Sequence, residues 1–282
     1  MTTGMTEGRC VGGLFFAGAA PCGGRRCAKR RPGLPKTCPA PIPGQAAFLK
    51  SPSILGFCVV ADLPNSNIEH WSRENFQQHV LDPIVSAVRY LASRHVDYII
   101  HTGMPVVTTR GKGFEDELVK QIEDATGLPA TTSIRSAIRA LAHLSVRNVA
   151  VVTPYPQEFH QSALSFLASS GFRVVAEHTM DVVFKRLQDV TPAQIFATTK
   201  RVLASAPLAD GVYIPCNQWS GADAAPLIED ELGIPVVTGA HADYWEAFRS
   251  LGITDRIEGH GRLMLSLSGN AAPANTAAAA RA

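Results

Sequence analysis

The sequence predicts an α/β protein built from two pseudo-symmetric lobes, each a parallel sheet flanked by helices. Between residues 53 and 265, short apolar runs alternate with amphipathic stretches, a pattern typical of parallel strands joined by helices. The segment "IEDATGLPATTSI" at 122–134 also matches "IEDELGIPVVTGA" at 228–240 in its Ile, Glu, Asp, Gly, Pro and Thr positions. A repeat of this length indicates that one lobe is a duplicate of the other.

A second pair of segments extends the repeat. "DYIIHTGM" at 97–104 aligns with "DGVYIPCN" at 210–217, although the gap to the longer segment differs by seven residues between the two copies. Ligands of parallel α/β sheets bind beyond the carboxyl ends of the strands. We therefore expect the active site in the cleft between the lobes, where both sets of strand ends meet.

Seven short apolar runs are predicted strands, because turn residues or amphipathic stretches bound them. In chain order they are 54–60, 96–103, 128–132, 148–155, 172–177, 211–216 and 234–239. Seven helices are predicted from apolar residues at helical spacing and from starting and stopping residues. They cover 76–91, 114–122, 134–141, 159–167, 192–205, 223–232 and 241–250, with Gly127 and Gly171 as stops and Pro192 as a starting residue.

Both ends of the chain differ from this middle part. Residues 1–50 carry eight Lys or Arg against one acid, and four cysteines lie there among Arg, Gly and Pro. The spacing of these cysteines fits no common zinc pattern, and no His lies among them. We predict a disordered N-terminal extension over 1–52, the two-lobed domain over 53–265, and a disordered Ala-rich tail over 266–282.

Composition limits the classes of function. Beyond residue 50 the chain has 18 basic and 23 acidic side chains, so no basic face for nucleic acid is expected. No apolar run approaches the roughly 20 residues of a membrane helix, and the apolar stretch at 11–24 lacks the flanks of a signal peptide. We therefore expect a cytoplasmic protein without a nucleic-acid or membrane partner. The sequence leaves a homo-oligomer open.

Cys216 ends the predicted strand "GVYIPC" in the second lobe, and its counterpart in the first lobe is Gly103 in "HTGMP". A thiol at a strand end beside the expected cleft suits catalysis, although free cysteine is also a common buried core residue. A helix start after the cysteine would favour its thiolate, whereas a proton donor needs a protonated thiol. The residues alone leave these alternatives open.

Four stretches of the chain resemble the aspartate/glutamate racemase superfamily, specifically its arylmalonate decarboxylase and maleate cis–trans isomerase branch. They are "LPNSNIE", "HTGMPVVTTRG", "VVTPYPQEF" and "PCNQWSGADAAPLIEDELGIPVVTGAHADYWEAFRSLG". The resemblance spans about residues 55–264. It implies two pseudo-symmetric α/β lobes, a cofactor-free site between them and a small carboxylic acid as substrate.

The resemblance also implies a catalytic role for Cys216. The isomerases and racemases use a cysteine from each lobe, whereas arylmalonate decarboxylase keeps only the second-lobe cysteine and protonates an enediolate with it. Cys216 matches the retained cysteine, and Gly103 stands where the other would be. Cys58 lies within a predicted buried strand and is not expected to replace it. The implied reaction is cofactor-independent decarboxylation of a malonate-like or dicarboxylic acid by a single cysteine.

The predicted substrate-binding residues are Asn67, Gly103, Met104, Tyr155 and Asn217. The resemblance places Asn67 and Tyr155 at a substrate carboxylate, and backbone N–H groups at 103–104 can serve an enediolate oxygen. Structural alternatives exist: Asn67 could cap a helix, Tyr155 could be a turn residue, and Asn217 could form an Asx turn. No metal and no cofactor are predicted.

The loop after Gly103 departs from the decarboxylase pattern, which has hydroxyl residues where this chain has Met104 and Pro105. Thr102 or Thr108 would be the substitute hydroxyl donors. Asn67 instead matches the isomerases. A maleate-type isomerase or racemase therefore remains an alternative, and so does a small-acid-binding protein without catalysis.

Overall fold

The computed structural model describes residues 14–17, 70–93 and 96–269. The predicted strand at 54–60, the predicted site residue Asn67 and the tail beyond residue 269 lie outside these ranges. A short strand, β1 (Leu14–Ala17), lies within the predicted N-terminal extension and pairs antiparallel with β2 (Tyr98–His101). The limits of the extension and of the tail stay predictions.

The first lobe begins with α1 (Arg73–Phe76), which continues as a π-helical turn over Gln77–Leu81 and leads into α2 (Ile84–Ala92). Its remaining elements are, after β2, α3 (Met104–Thr108), α4 (Phe114–Thr126), β3 (Ala130–Thr132) and α5 (Ser133–His143). Strand β3 lies parallel to β2, so the sheet order is β1-β2-β3. The predicted helical spacing over 76–91 is confirmed, because its five apolar residues are all buried: Phe76, Val80, Ile84, Val88 and Leu91.

The second lobe holds a four-stranded parallel sheet of order β5-β4-β6-β7. Its strands are β4 (Asn148–Thr153), β5 (Arg173–Thr179), β6 (Gly211–Ile214) and β7 (Val236–Thr238). Its helices are α6 (Gln157–Ser169), α7 (Pro192–Ala204), α8 (Gly221–Leu232), α9 (Gly239–Ser250) and α10 (Gly261–Leu265), with 3₁₀ turns at Phe184–Asp189 and Ser266–Gly269. The predicted α/β class, with parallel sheets flanked by helices, is confirmed.

The register of the two sheets supports the duplication. In the first lobe Ile99 of β2 lies opposite Ala130 of β3, and in the second lobe Val212 of β6 lies opposite Val236 of β7. The sequence repeat aligns Ile99 with Val212 and Ala130 with Val236. The same correspondence holds for the next two pairs along each strand. The two lobes therefore share strand pairing as well as sequence.

Side chains repeat the correspondence at the helix ends. Glu123 Oε1 accepts a hydrogen bond from the first residue of β3, and Glu229 Oε1 accepts one from the first residue of β7. Thr132 and Thr238 cap α5 and α9 by accepting from the backbone N–H three residues later. Each contact satisfies a donor that a helix or strand end would otherwise leave open. The repeated Glu and Thr positions are thus explained by local hydrogen bonding.

The lobes meet along the helix pair α5 and α9, which pack against each other and follow the last strand of each lobe. One hydrophobic cluster extends across this junction and includes Ile99, Ile134, Tyr213 and Trp245. Near the carboxyl ends of β2 and β6, the Tyr213 hydroxyl of β6 contacts Met104, which follows β2. The duplication therefore brings the two strand-end segments of the repeat toward one region.

Helix α3 differs from the sequence prediction, which also contains neither β1 nor α10. The sequence predicts a loop after Gly103, but these residues form the five-residue helix α3, with Pro105 in its first turn. A helix this short shows too few turns for hydrophobic periodicity to reveal it, and Pro is tolerated in a first turn. Within the residues described, no helix is both long and apolar enough to cross a membrane.

Candidate active site

Cys216 lies two residues beyond the end of β6, in a backbone conformation that few side-chain-bearing residues adopt. Its φ is 76°, in the left-handed region, and Gly103 at the equivalent position beyond β2 has a φ of 99°. Both lobes therefore turn in the left-handed region after the strand. Glycine does so without steric cost, whereas the Cβ of Cys216 makes the conformation unfavourable by about 1–2 kcal/mol. Strain of this kind persists only where the surroundings hold it, and it clusters at functional sites.

Two close contacts hold the loop that carries Cys216. The indole Nε1 of Trp219 donates to the carbonyl of Pro215 at 2.6 Å. On the other side the loop packs directly against Gly239, the first residue of α9. A Cβ on Gly239 would lie 2.4 Å from Asn217 Oδ1 and 3.2 Å from the backbone nitrogen of Cys216. Glycine is required there because the loop occupies the space of a side chain.

A third contact ties the loop to a buried carboxyl group. Asn217 Nδ2 donates to Asp243 Oδ2 at 2.7 Å, and Ser133 Oγ donates to the same oxygen at 2.7 Å. Asp243 is 3% exposed, and Ser133 begins α5 of the first lobe. The carboxyl group therefore joins the Cys216 loop to the opposite lobe. Burial raises the pKa of Asp243 to about 7, although the hydrogen bonds from Ser133 and Asn217 act to lower it.

The thiol of Cys216 is protonated at neutral pH. The residue keeps some accessible surface, but the sulfur lies among protein atoms, and this burial raises its pKa to about 12. Backbone N–H groups of Gln218 and Trp219 act in the opposite direction. The first turn of α8, which the sequence suggested as a source of thiolate stabilisation, begins only at Gly221. Desolvation therefore outweighs the local dipoles here.

Two tyrosine hydroxyls lie close to the thiol. Burial raises the pKa of Tyr155 well above its ordinary value, and the neighbouring Cys216, Tyr213 and Asp243 raise it further. Burial also raises the pKa of Tyr213, and the neighbouring Asp243 and Cys216 raise it further. The Tyr213 hydroxyl donates to Met104 Sδ at 3.3 Å, which connects β6 with α3 of the first lobe. Both hydroxyls remain neutral and can act as hydrogen-bond donors.

Tyr155 is held by aromatic packing and by a polar chain behind it. Its ring meets that of Trp71 edge to face, with centroids 5.2 Å apart. Its backbone N–H donates to Thr153 Oγ1, which lies 2.9 Å from His160 Nδ1. The other ring nitrogen of His160 contacts Glu177. Tyr155 is only 1% exposed, so this environment fixes the position of its hydroxyl beside Cys216.

A model of the arylmalonate decarboxylase family matches residues 66–264, which include every residue of the site described so far. The chain belongs to the arylmalonate decarboxylase family. The resemblance found in the sequence is thereby confirmed, and with it the membership of the branch that also contains the maleate isomerases.

Relatives of both reaction types are similar to this chain. The arylmalonate decarboxylase of Bordetella bronchiseptica is 28% identical over 186 residues, which cover 65% of this chain and 78% of that protein. A crystal structure of arylmalonate decarboxylase matches with a TM-score of 0.62 at 28% identity, covering 66% of this chain and 82% of the other. The maleate isomerase of Nocardia farcinica is 24% identical over 180 residues, covering 62% and 71%.

Four of the predicted site residues of this family member lie together. Tyr155 and Asn217 are neighbours of Cys216, and Met104 contacts the site through Tyr213. Gly103 precedes Met104 as the N-terminal cap of α3. The amide of Asn217 bonds to Asp243. The roles of these residues toward a substrate stay predictions.

Other residues near the strand ends point elsewhere or are neutral. Thr108 Oγ1 lies 2.9 Å from Ser162 Oγ and so is directed at α6. His101 is buried in β2, and this burial lowers its pKa to about 4, which keeps the ring uncharged at neutral pH. Arg110 is exposed and contacts Gln77. In the part of the chain that the structure describes, no group of three or more His, Cys, Asp or Glu side chains could hold a metal ion.

Sequence reasoning missed Tyr213 and Asp243. Tyr213 lies inside the apolar strand "GVYIPC", where an aromatic residue predicts core packing. Asp243 lies in "HADYWEAF", where an acid at a helical position is typical of a solvated helix face. The repeat did contain a signal, because Asp243 aligns with Ala137 and only one lobe carries an acid at this position.

Proposed function

We propose that this chain is a cofactor-independent decarboxylase of a small malonate-like or dicarboxylic acid, with Cys216 as the proton donor. One observation carries the proposal: a protonated thiol stands at a strained strand end in one lobe, and a glycine stands at the equivalent position in the other. A single thiol can deliver a proton to one face of an intermediate. A two-base reaction would need a second group at Gly103.

The proposed reaction has two steps. The bond between the α-carbon and one carboxylate breaks, CO2 leaves, and the electron pair stays on the α-carbon as an enediolate shared with the remaining carboxylate. The S–H bond of Cys216 then breaks, and its proton goes to the α-carbon, which leaves a thiolate. The thiolate recovers its proton from solvent. No external oxidant or reductant is needed.

Neutral donors would stabilise the enediolate in this proposal. Tyr155 lies beside Cys216 and is held neutral, so it would donate to an oxygen of the remaining carboxylate. The backbone at Gly103 and Met104 and the side chain of Asn67 are further proposed donors. Apolar side chains buried near the strand ends, such as Val106 and Ile214, would solvate the departing carboxylate poorly. Poor solvation of that carboxylate favours loss of CO2.

A maleate-type isomerase or a racemase is the second candidate. The observation that favours it is the pair of backbone N–H groups, from Gln218 and Trp219, that act on the Cys216 sulfur. Such donors stabilise a thiolate, which an attacking nucleophile requires. The relatives of this chain include maleate isomerases. A small-acid-binding protein without catalysis is the third candidate.

One experiment separates the three candidates. Parent protein, Cys216→Ser and the control Cys58→Ser are incubated in D2O with a panel of malonates, maleate and amino acids. Release of CO2 with one deuteron incorporated is expected for the parent and Cys58→Ser, with a loss of at least 100-fold in Cys216→Ser. Interconversion without CO2 supports the isomerase, and thermal stabilisation without turnover supports the binding protein. Equal activity of Cys216→Ser and parent would overturn the assignment of Cys216.

A further inference from the structure

Asp243 is a buried acid that the duplication leaves unmatched. In the first lobe the equivalent residue is Ala137, and the residue equivalent to Asn217 is Met104. The second lobe therefore has an amide and a carboxyl group where the first lobe has a thioether and a methyl group. This polar pair lies beside the strand end that carries the thiol. The lobe with the cysteine thus contains a hydrogen bond that the lobe with the glycine cannot form.

The carboxyl group makes both of its close hydrogen bonds through one oxygen. Oδ2 accepts from Asn217 Nδ2 and from Ser133 Oγ. Among the described residues, Oδ1 has no hydrogen-bond partner within ordinary bonding distance, although it is buried. An oxygen that accepts two hydrogen bonds fixes the direction of both donors. The Asn217 side chain is held on its other face by the close approach to Gly239.

Asn217 follows Cys216 directly, and the Cys216 backbone is in the left-handed region. An L-residue remains there only if neighbouring contacts prevent the peptide from relaxing. The bond from Trp219 fixes the carbonyl before Cys216, and the bond to Asp243 fixes the residue after it. The two bonds clamp the strained residue from both sides.

We propose that Asp243 is a positioning residue for Cys216, which anchors Asn217 and thereby holds the thiol in the orientation that the reaction uses. The effect on turnover rests on the proposed function, whereas the effect on the thiol itself does not. The anchor needs an acceptor oxygen at the Oδ2 position rather than a negative charge. A neutral carboxyl group protonated on Oδ1, or an amide oxygen, fills this role as well as a carboxylate does.

The test measures the Cys216 thiol directly, so it does not depend on knowing the substrate. The rate of alkylation by iodoacetamide at pH 8.5 is followed by mass spectrometry of the peptide containing Cys216. Asp243→Ala and Asn217→Ala are each expected to change this rate by at least fivefold. The double variant is expected to change it no more than the larger single change, because both substitutions break the same bond.

Two further variants separate positioning from a general loss of packing. Asp243→Asn is expected to recover the parental rate within twofold, since its amide oxygen can accept from Asn217. Ser133→Ala removes the other bond to Oδ2 and leaves Asn217 anchored, so its change should be less than half that of Asn217→Ala. The proposal would be overturned if the effects of Asn217→Ala and Asp243→Ala on the alkylation rate were additive. It would also be overturned if the alkylation rate of Asp243→Asn differed from that of the parent as much as the rate of Asp243→Ala does. If Asp243→Ala does not fold, Asn217→Ala and Asp243→Asn still decide the question.

Turnover of the same variants distinguishes this inference from the proposed function. With an active substrate, Asn217→Ala is expected to lower kcat at least tenfold while KM changes less than threefold, and Asp243→Asn should restore kcat. If no acid is turned over but the alkylation pattern holds, the proposed function fails and the positioning role stands. If turnover is found and the alkylation rates of all variants match the parent, only the positioning role fails.

Discussion

The backbone of Cys216 shows how one residue can be held against its own conformational preference. A left-handed φ brings Cβ close to a carbonyl oxygen, which costs about 1–2 kcal/mol for residues other than glycine. The duplicate lobe avoids this cost with Gly103. The second lobe accepts it, and the contacts of Trp219 and Gly239 hold the strained residue in place.

Replacing Cys216 with glycine should therefore stabilise the fold relative to replacement with alanine. Glycine removes the Cβ strain but loses more backbone entropy on folding, by about 0.4–1 kcal/mol, so we expect a net gain of roughly 0.5–1 kcal/mol. Urea unfolding of Cys216→Gly and Cys216→Ala measures the difference. The matched control is Gly103→Ala, which should lose stability because alanine is strained at the left-handed φ of this position. Its new Cβ would meet only Val106, at an ordinary 3.4 Å, so the loss would come from the backbone conformation and not from a clash. Equal midpoints for the two Cys216 variants would contradict the interpretation.

At the scale of elements, the junction between β7 and α9 is as important to the site as the cysteine loop. The helix begins with Gly239 because the Asn217 side chain occupies the space next to it. In the first lobe the same junction begins with Ser133, which carries a side chain without conflict. Helix α9, which contacts the Cys216 loop, thus differs from α5 at its first residue, where glycine replaces serine.

Gly239→Ala is expected to displace the Cys216 loop. Its Cβ would lie 2.4 Å from Asn217 Oδ1, so the loop must move, with a stability loss of about 1–3 kcal/mol and at least tenfold lower turnover. Gly211→Ala is the control, since its Cβ would meet Val146 at the same 2.4 Å but at the opposite end of β6 from the cysteine. Turnover per folded molecule should be retained in Gly211→Ala. A similar loss of turnover in both variants would show that general destabilisation is responsible.

The sequence predicts the elements of this fold better than the contacts of its site. Strands and most helices follow from hydrophobic periodicity, Gly stops and the internal repeat, all of which act over short distances along the chain. Helix α3 was missed because five residues with a proline carry no periodic signal. Tyr213 and Asp243 were missed because their importance comes from contacts with Met104 and Ser133, more than 100 residues away along the chain.

At the scale of the whole molecule, the two lobes are joined by a buried carboxyl group as well as by apolar packing. Arg139 of α5 pairs with Glu246 of α9 at the edge of the junction, while Asp243 and Ser133 meet inside it. A carboxyl group at this depth is costly to ionise. The stability of the joined lobes should therefore depend on pH.

Asp243→Asn is expected to weaken the dependence of folding stability on pH. The folded-state pKa is about 7, raised from 3.8 chiefly by burial, with Glu246 also acting to raise it. Between about pH 4 and pH 7 the folded protein binds a proton that the unfolded chain releases, so this group's contribution to stability falls as pH rises through that window. We expect the thermal midpoint of Asp243→Asn minus that of the parent to increase by roughly 5 °C from pH 5 to pH 8, as about 1–2 kcal/mol would produce. A difference that stays constant with pH would refute the assignment.

The identical strand register of the lobes also bears on how Cys216 can occupy the position equivalent to Gly103. Two half-length chains joined as a symmetric dimer present every residue of their shared cleft twice, since a two-fold axis copies each substitution. A thiol facing a glycine, or an acid facing an alanine, is unattainable in such a dimer. Joining both halves in one polypeptide removes the constraint, so that Cys216 and Gly103, or Asp243 and Ala137, can vary independently. The continuous chain therefore permits a thiol in one lobe and a glycine at the equivalent position of the other.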